Sequence, residues 1–104
     1  MNNVVLIGRL TKDPEVKEYG KGKNAGTVAN YTLAVDRDKD NTDFIRCCAF
    51  GVGAEFVDKY LSKGMKIAVN GEIRTGSYEN KNGDTVYTTE VFVKSHEFCE
   101  KKEK

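Results

Sequence analysis

The chain has 104 residues, with 17 basic and 16 acidic side chains and a net charge of +1 at pH 7. This length suits one domain and is too short for two, and the near-neutral charge excludes recruitment of a polyanion by bulk attraction alone. The longest apolar run is Val4–Ile7, so we expect neither a signal peptide nor a membrane span, which needs roughly 20 apolar residues. The excess of Val and Ile over Leu, 15 residues against 4, favours strands and predicts a mostly β domain.

Strand-like segments and polar loops alternate in the first half of the chain. The first strand should end or bend at Asp13-Pro14, because proline has no backbone N–H to donate to a neighbouring strand. The three predicted strands cover residues 3–12, 27–36 and 43–52, separated by a Gly- and Lys-rich loop over 18–26 and an Asp-rich loop over 36–43.

A single helix is predicted after the third strand. An apolar stripe recurs there at helical spacing, and Gly64 is placed to end the helix. The stripe consists of Phe56, Val57, Tyr60 and Leu61.

The last two predicted strands, 65–79 and 84–98, form a hairpin. They flank Asn82-Gly83, a dipeptide that is typical of a two-residue turn with a positive φ at both residues. The hairpin is long and mostly polar, so we expect it to protrude from the domain as an arm.

The predicted element order is β-β-β-α-β-β. Gly8 and Gly71 each interrupt an apolar strand, and such glycines mark bulges or sharp bends where a sheet curls on itself. Five strands with a helix between the third and the fourth are the element order of the OB-fold, a five-stranded barrel. We therefore predict an all-β OB-fold domain over residues 1–96 with a protruding β-hairpin arm, followed by a short charged tail over 97–104.

Enzyme and metal-site patterns find little support. Residues 20–25 match the dinucleotide-binding string G-x-G-x-x-A, but they lead into a strand, whereas that fingerprint must open a helix. His96 and Cys99 could supply two zinc ligands, but the remaining candidates, Cys47 and Cys48, are adjacent and would point to opposite faces of a strand. We predict no catalytic residue, no metal site and no cofactor. The odd number of cysteines favours a reduced, intracellular protein.

The hairpin tyrosines suggest a binding function. With a two-residue turn, Tyr78 pairs with Tyr87 on one face of the hairpin, and Asn80 pairs with Thr85 beyond them. The tyrosine pair either stiffens the hairpin or offers a platform on which nucleic-acid bases stack.

The third strand places two phenylalanines on one face. Phe44, Arg46 and Phe50 share that face. Ile45, Cys47 and Ala49 lie on the other face and suit a core, because they are small or apolar. Either the phenylalanines belong to the core, or they form with basic residues a groove that stacks bases and tracks phosphates. The basic residues on neighbouring elements are Arg9, Lys12, Lys21, Lys23, Lys63, Lys66 and Arg74.

Five segments of the chain carry a family likeness. They read NNVVLIGRLTKDPEV, VANYTLAVDR, DFIRCCAFG, YLSKGMKIAVNGEIRTGSYE and NGDTVYTTEVFV. In order and spacing they resemble the bacterial and phage single-stranded DNA-binding proteins, over residues 1 to about 94. The resemblance implies an OB-fold that binds single-stranded DNA without sequence preference, assembles as a homotetramer and protects exposed strands in replication, recombination and repair.

The resemblance also implies roles for individual residues. The stacking aromatics of the family fall on Phe44, Phe50 and Tyr78. The positions at which basic residues recur in the family are Arg9, Arg37, Lys63 and Arg74.

Several positions depart from the family pattern. Lys39 stands where many members have Trp, Ser77 and Val52 stand at basic positions, and Ile45 stands where a His often lies at subunit contacts. We therefore expect weaker stacking, fewer phosphate contacts and a smaller salt dependence, with a dimer as the alternative to the homotetramer. The chain ends in CEKKEK, so we also expect no acidic C-terminal tip that recruits replication or repair enzymes.

The leading hypothesis is a non-enzymatic single-stranded DNA-binding protein of the bacterial cytoplasm, associated with the nucleoid. The alternatives are an OB-fold adaptor of the primosome type, which acts mainly through protein contacts, and an OB-fold nuclease. The predicted DNA-binding residues are Phe44, Phe50, Tyr78, Tyr87, Arg9, Arg37, Arg46, Lys63 and Arg74.

Overall fold

The described part of the chain folds into six strands and one helix. The computed structural model describes residues 1–20 and 25–99. A mostly β domain with a single helix is confirmed, and this helix follows the strand that contains both phenylalanines, as predicted. The elements are β1 (Val4–Leu10), β2 (Glu15–Tyr19), β3 (Gly26–Asp36), β4 (Thr42–Phe50), α1 (Val52–Tyr60), β5 (Lys66–Glu79) and β6 (Thr85–Phe98).

The six strands form one sheet in the order β1-β5-β6-β4-β3-β2. Neighbouring strands are antiparallel, except that β4 and β6 run parallel where they pair. β1 also pairs with β3, through Arg9 with Ala34 and Leu10 with Leu33. The first strand in the sheet order thus contacts the fifth, so the sheet curls back on itself.

One strand, β2, was not predicted from the sequence. The chain turns at Asp13-Pro14 as predicted, and the five residues of β2 then pair with the start of β3. Only Val16 of β2 is half-buried and the rest are exposed, so the strand lacks the apolar alternation by which strands are recognised. The predicted loop over 18–26 overlaps the end of β2, and its Lys21 and Lys23 lie outside the described residues.

The core lies on one face of the sheet, beneath α1. Its largest fully buried side chains are Leu33, Ile67, Val57, Val69 and Cys47. The helix buries Val57 and ends at Tyr60, earlier than Gly64, where its end was predicted. Leu61 already has extended backbone angles, and this conformation turns its side chain into the core, where it is buried.

Gly8 and Gly71 lie where the backbone of one strand meets that of another. A Cβ on Gly8 would stand 2.6 Å from the carbonyl oxygen of Ala34, so only glycine allows β1 to approach β3 this closely. Gly71 lies at a bulge, as predicted: Asn70 pairs with Ser95 but Gly71 pairs with Val93. The extra residue on β6 shifts the register of β5 and β6 by one from there onward.

The hairpin arm, residues 75–89, has a longer loop than predicted. β5 ends at Glu79 and β6 begins at Thr85, and the side-chain oxygen of Asn80 accepts hydrogen bonds from the backbone N–H of Asn82 and of Asp84. These bonds stabilise a loop over 80–84. The prediction of a two-residue turn with two positive φ angles is wrong, because Gly83 alone in this loop has a positive φ, of 82°.

The longer loop changes which residues face each other in the arm. Tyr78 pairs with Val86, and Tyr87 pairs with Ser77, so the prediction that the two tyrosines form a pair is wrong. Thr85 likewise pairs with Glu79 and not with Asn80. Since successive residues of a strand point to opposite faces, Tyr78 and Tyr87 lie on opposite faces of the arm.

Candidate nucleic-acid interface

The side chains that alternate with core residues form one continuous surface, which we call the outer face. Cys47 and Val91 pair and are both buried, so their neighbours Cys48 and Phe92, which also pair, point the other way. The strand registers extend this face from β2 to the arm. Its members include aromatic rings and a thiol, Tyr19, Phe44, Cys48, Phe50, Tyr78 and Phe92, and charged side chains, Glu15, Lys17, Arg46, Glu72, Arg74 and Glu90.

A row of π-systems crosses the middle of the outer face. The guanidinium carbon of Arg74, on β5, lies 4.1 Å from the ring centroid of Phe92 on β6. The rings of Phe92 and Phe50 are stacked, with centroids 5.3 Å apart and planes at 22°. Tyr19, on β2, meets Phe50 edge to face at 6.3 Å. The row thus joins one cation to three aromatic rings.

The three aromatic residues that the resemblance picks out are exposed on this face. The exposed fractions are 68% for Phe44, 42% for Phe50 and 57% for Tyr78. The alternative interpretation, in which the two phenylalanines belong to the core, is therefore wrong. Cys47 and Ala49 fill the core side of β4 instead, as their alternation predicts.

Two further predicted cations lie near Phe44. Arg46 is exposed, two residues along β4 on the same face. Arg9 pairs with Ala34, which pairs with Phe44, so Arg9 and Phe44 stand in one row. Arg9 also donates a hydrogen bond of 2.9 Å to the carbonyl oxygen of Gly64, which holds its side chain at this end of β1.

The other predicted residues lie off the outer face. Tyr87 is 81% exposed but points to the opposite side of the arm. Arg37, between β3 and β4, donates two hydrogen bonds to the carboxylate of Asp43. Lys63 follows α1, where its backbone N–H donates to Asp13.

A carboxylate lies among the cations of β5 and β6. Glu72 accepts a hydrogen bond of 2.9 Å from Nε of Arg74, and its other oxygen lies 2.8 Å from Nζ of Lys94. These two donors, Lys94 first, hold the pKa of Glu72 below its usual value. The ionised carboxylate positions Arg74 from one side while Phe92 contacts it from the other.

Cys48 lies on the outer face but is covered by its neighbours. Burial is the main cause that raises the pKa of its thiol, and Glu90 adds to the effect, so the thiol stays protonated at neutral pH. Cys47, Cys48 and Cys99 are all free. Within residues 1–20 and 25–99, no cluster of three His, Cys, Asp or Glu side chains suits a metal ion.

A half-buried histidine, His96, lies on the core side, beneath α1. Nε2 of His96 is 2.7 Å from the hydroxyl of the buried Tyr31, and its ring stacks on Phe56 at 5.2 Å. Burial lowers the pKa of His96 to about 4, so the ring is neutral at pH 7. Its role is structural, because it links β3, β6 and the helix.

Two aromatic members of the outer face, Phe92 and Tyr19, were not predicted from the sequence. A signal for Phe92 was present, since Val91 and Val93 flank it and both are buried, which leaves Phe92 pointing outward. No comparable signal marked Tyr19, because its strand was not recognised.

Comparison with known proteins places this chain in a family. Residues 1–99 match the model of the "Single-strand binding protein family". The chain belongs to this family. A relative in Clostridium perfringens, "Single-stranded DNA-binding protein", is 52% identical over 96% of this chain and 67% of its own length.

Two relatives in Staphylococcus aureus show the same likeness. "Single-stranded DNA-binding protein 1" is 45% identical over 98% of this chain and 67% of its own length. "Single-stranded DNA-binding protein 2" is also 45% identical, over 98% of this chain and 74% of its own length. The chain thus spans about two thirds to three quarters of these relatives.

Membership of this family agrees with three predictions made above. The family implies an OB-fold, and its members bind DNA and are not enzymes.

In the described portion of the chain, no helix is both long enough and apolar enough to cross a bilayer.

Proposed function

We propose that this chain binds single-stranded DNA without regard to base sequence. The observation that carries the proposal is the outer face, on which exposed rings alternate with guanidinium groups. An aromatic ring stacks on the π-face that every base has, so such a surface selects unpaired strands rather than particular sequences. The family match and the names of the relatives support the same function.

Five residues carry the binding in this proposal. Bases stack on Phe44, Phe50 and Tyr78, because these rings are exposed on one face of the sheet. Arg46 lies between the two phenylalanines on β4, and Arg74 lies on the same face of β5 as Tyr78. These two cations are placed to contact the phosphates between stacked bases.

Three other predicted cations border this surface. Arg9 extends the row that contains Phe44, and Lys63 follows α1 near the end of β1. Arg37 would have to exchange its bonds with Asp43 for bonds to a phosphate. We therefore assign these cations weaker contacts than Arg46 and Arg74, and we leave Tyr87 out of the stacking surface.

The biological roles that we propose are protection of exposed strands in replication, recombination and repair, by a homotetramer. Exposed apolar side chains on β1, Val5 and Ile7, would be buried by contact with a second copy and support self-association. Light scattering with and without dT oligomers reports both the assembly state and its occupancy. A monomer under both conditions would overturn the proposed assembly.

Anisotropy of a fluorescein-labelled dT oligomer, titrated with the protein at a series of salt concentrations, tests the binding function. We expect submicromolar affinity at low salt and a linear fall of log K with log salt concentration. Binding releases counterions from the strand, and this release becomes less favourable as the salt concentration rises. A labelled duplex of the same length is the control and should bind far more weakly. Affinity in the micromolar range or weaker at low salt would overturn the proposal.

A further inference from the structure

Phe92 lies between a cation and a ring that the proposed function uses. In the sheet order β6 stands between β5 and β4, so Arg74 of β5 and Phe50 of β4 approach Phe92 from opposite sides. Arg74 lies over the ring, with its guanidinium carbon 4.1 Å from the centroid, and Phe50 stacks against the ring at 5.3 Å between centroids.

We propose that Phe92 is a positioning residue of the single-strand interface, which holds Arg74 and Phe50 at a fixed spacing so that they bind one phosphate and one neighbouring base as a unit. This inference rests on the proposed function. Phe92 is only half-exposed and already packs against a cation and a ring, so in this proposal its effect on binding passes through these two neighbours.

Arg74 has one further contact that fixes its orientation. Its Nε donates to Glu72, while Phe92 covers the flat side of the guanidinium group. The contact with Glu72 uses Nε, which leaves Nη1 and Nη2 as the donors that a phosphate would meet in bidentate fashion. Without the Phe92 ring, the main contact of Arg74 would be the carboxylate of Glu72. Arg74 would then be more flexible and still paired with a carboxylate, so we expect it to bind phosphate less well.

Phe50 is held from two sides in the same way. Phe92 stacks on one side at a 22° angle, and the edge contact with Tyr19, at 79°, limits its rotation on the other. Phe50 nevertheless remains 42% exposed. The ring is therefore fixed before a base arrives, which reduces the loss of side-chain entropy on binding.

A purely structural role for Phe92 predicts a different result. A core residue would affect stability and leave the number of phosphate contacts unchanged. A residue that positions Arg74 must instead change the salt dependence of binding, because one phosphate contact contributes about one to the slope of log K against log salt concentration.

The test compares Phe92→Leu with wild type in the dT-oligomer titration at several salt concentrations. Leu keeps an apolar side chain but removes the ring, so we expect about tenfold weaker binding at moderate salt and a slope smaller by about one. Phe92→Tyr keeps the ring and should restore the slope. Phe98→Leu is the matched control, because Phe98 lies on the same strand but contacts Phe56 and Tyr60 beside the helix.

A double-mutant cycle with Arg74→Ala identifies the partner through which Phe92 acts. If Phe92 positions Arg74, Arg74→Ala should weaken binding about tenfold in wild type but less than threefold in the Phe92→Leu background. Independent effects of the two substitutions would overturn the inference, as would an unchanged slope in Phe92→Leu. Failure of the wild type to bind the oligomer would instead overturn the proposed function, so the two failures are distinguishable.

Discussion

The rings in the body of the sheet and the rings of the arm are held in different ways. In the body, Phe50 packs between Phe92 and Tyr19, and the core beneath β4 fixes the face on which it lies. In the arm, Tyr78 and Tyr87 project from a two-stranded ribbon, and both are mostly exposed. Only the strand register decides the face on which each of these tyrosines lies.

Because of this difference, a ring in the body and a ring in the arm should contribute differently to folding stability and to DNA binding. A packed body ring such as Phe50 contributes to both, because its contacts with neighbouring rings exist without DNA. An arm ring that contacts only bases should contribute to binding alone. Substitutions in the body and in the arm should therefore separate the two contributions.

Phe50→Ala should have the largest effect, because it removes a base-stacking ring and the contacts with Phe92 and Tyr19 together. We expect binding of a dT oligomer to weaken by about 1–3 kcal/mol. The free energy of unfolding should fall by about 1–2 kcal/mol, less than for a fully buried phenylalanine because Phe50 is partly exposed. Anisotropy titration and urea denaturation measure the two quantities. An unchanged unfolding free energy would show that the ring row does not stabilise the body.

Tyr78→Ala should affect binding alone. Loss of one stacking ring should weaken dT binding by about 1–3 kcal/mol, whereas the unfolding free energy should stay within about 0.5 kcal/mol of wild type, as for most exposed substitutions. The same two assays provide the measurement. If binding is unchanged, Tyr78 only braces the hairpin.

The body, unlike the arm, should also respond to pH through His96. The pKa of His96 is lowered by burial from 6.5 to about 4, so between these values the unfolded chain binds a proton that the folded protein does not. Stability therefore falls as the pH decreases through this window. With allowance for the partial exposure of the ring, we expect a loss of about 1 kcal/mol between pH 7 and pH 5.

Urea denaturation of wild type and His96→Gln at both pH values isolates this effect. The substitution keeps a hydrogen-bonding group near Tyr31 but removes the titration, so it should reduce the pH dependence. An equal pH dependence in the two proteins would assign it to other groups.

Tyr87→Ala should have the smallest effect. Because Tyr87 lies on the face of the arm opposite Tyr78, we expect dT binding within about 0.5 kcal/mol of wild type. A loss as large as that of Tyr78→Ala would mean that DNA contacts both faces of the arm. Comparison of the two variants in one titration series thus tests the register directly.

The body of the sheet was more predictable from the sequence than the arm. Alternation along β4 predicted that Cys47 and Ala49 share the core side and that Phe44 and Phe50 lie together on the other side, because burial of one face specifies the register of a strand. Whether the two phenylalanines are exposed stayed open until the structure showed it. The position of α1 followed from its apolar stripe. The extended turn at Leu61 could not be predicted, because it depends on a core formed by residues distant in sequence.

The register of the arm could not be predicted from Asn82-Gly83 alone. The side chain of Asn80 stabilises a longer loop, and no buried face corrects an error of one residue. The row of Arg74, Phe92 and Phe50 was also beyond sequence reasoning, since it depends on β6 pairing with β4, which is distant along the chain. Contacts between distant strands are set by the whole fold rather than by a local pattern.

The bulge at Gly71 governs the orientation of residues far from it. β5 and β6 pair without interruption from this bulge to the loop. The register set at the bulge therefore determines the face of the arm on which each tyrosine lies. Continuation of the pairing of Asn70 with Ser95 would have brought the two tyrosines together. The arm can therefore be lengthened by one residue on each strand at its tip without moving either tyrosine to the other face. A residue inserted into one strand alone would move the side chains of that strand beyond the insertion to the opposite face.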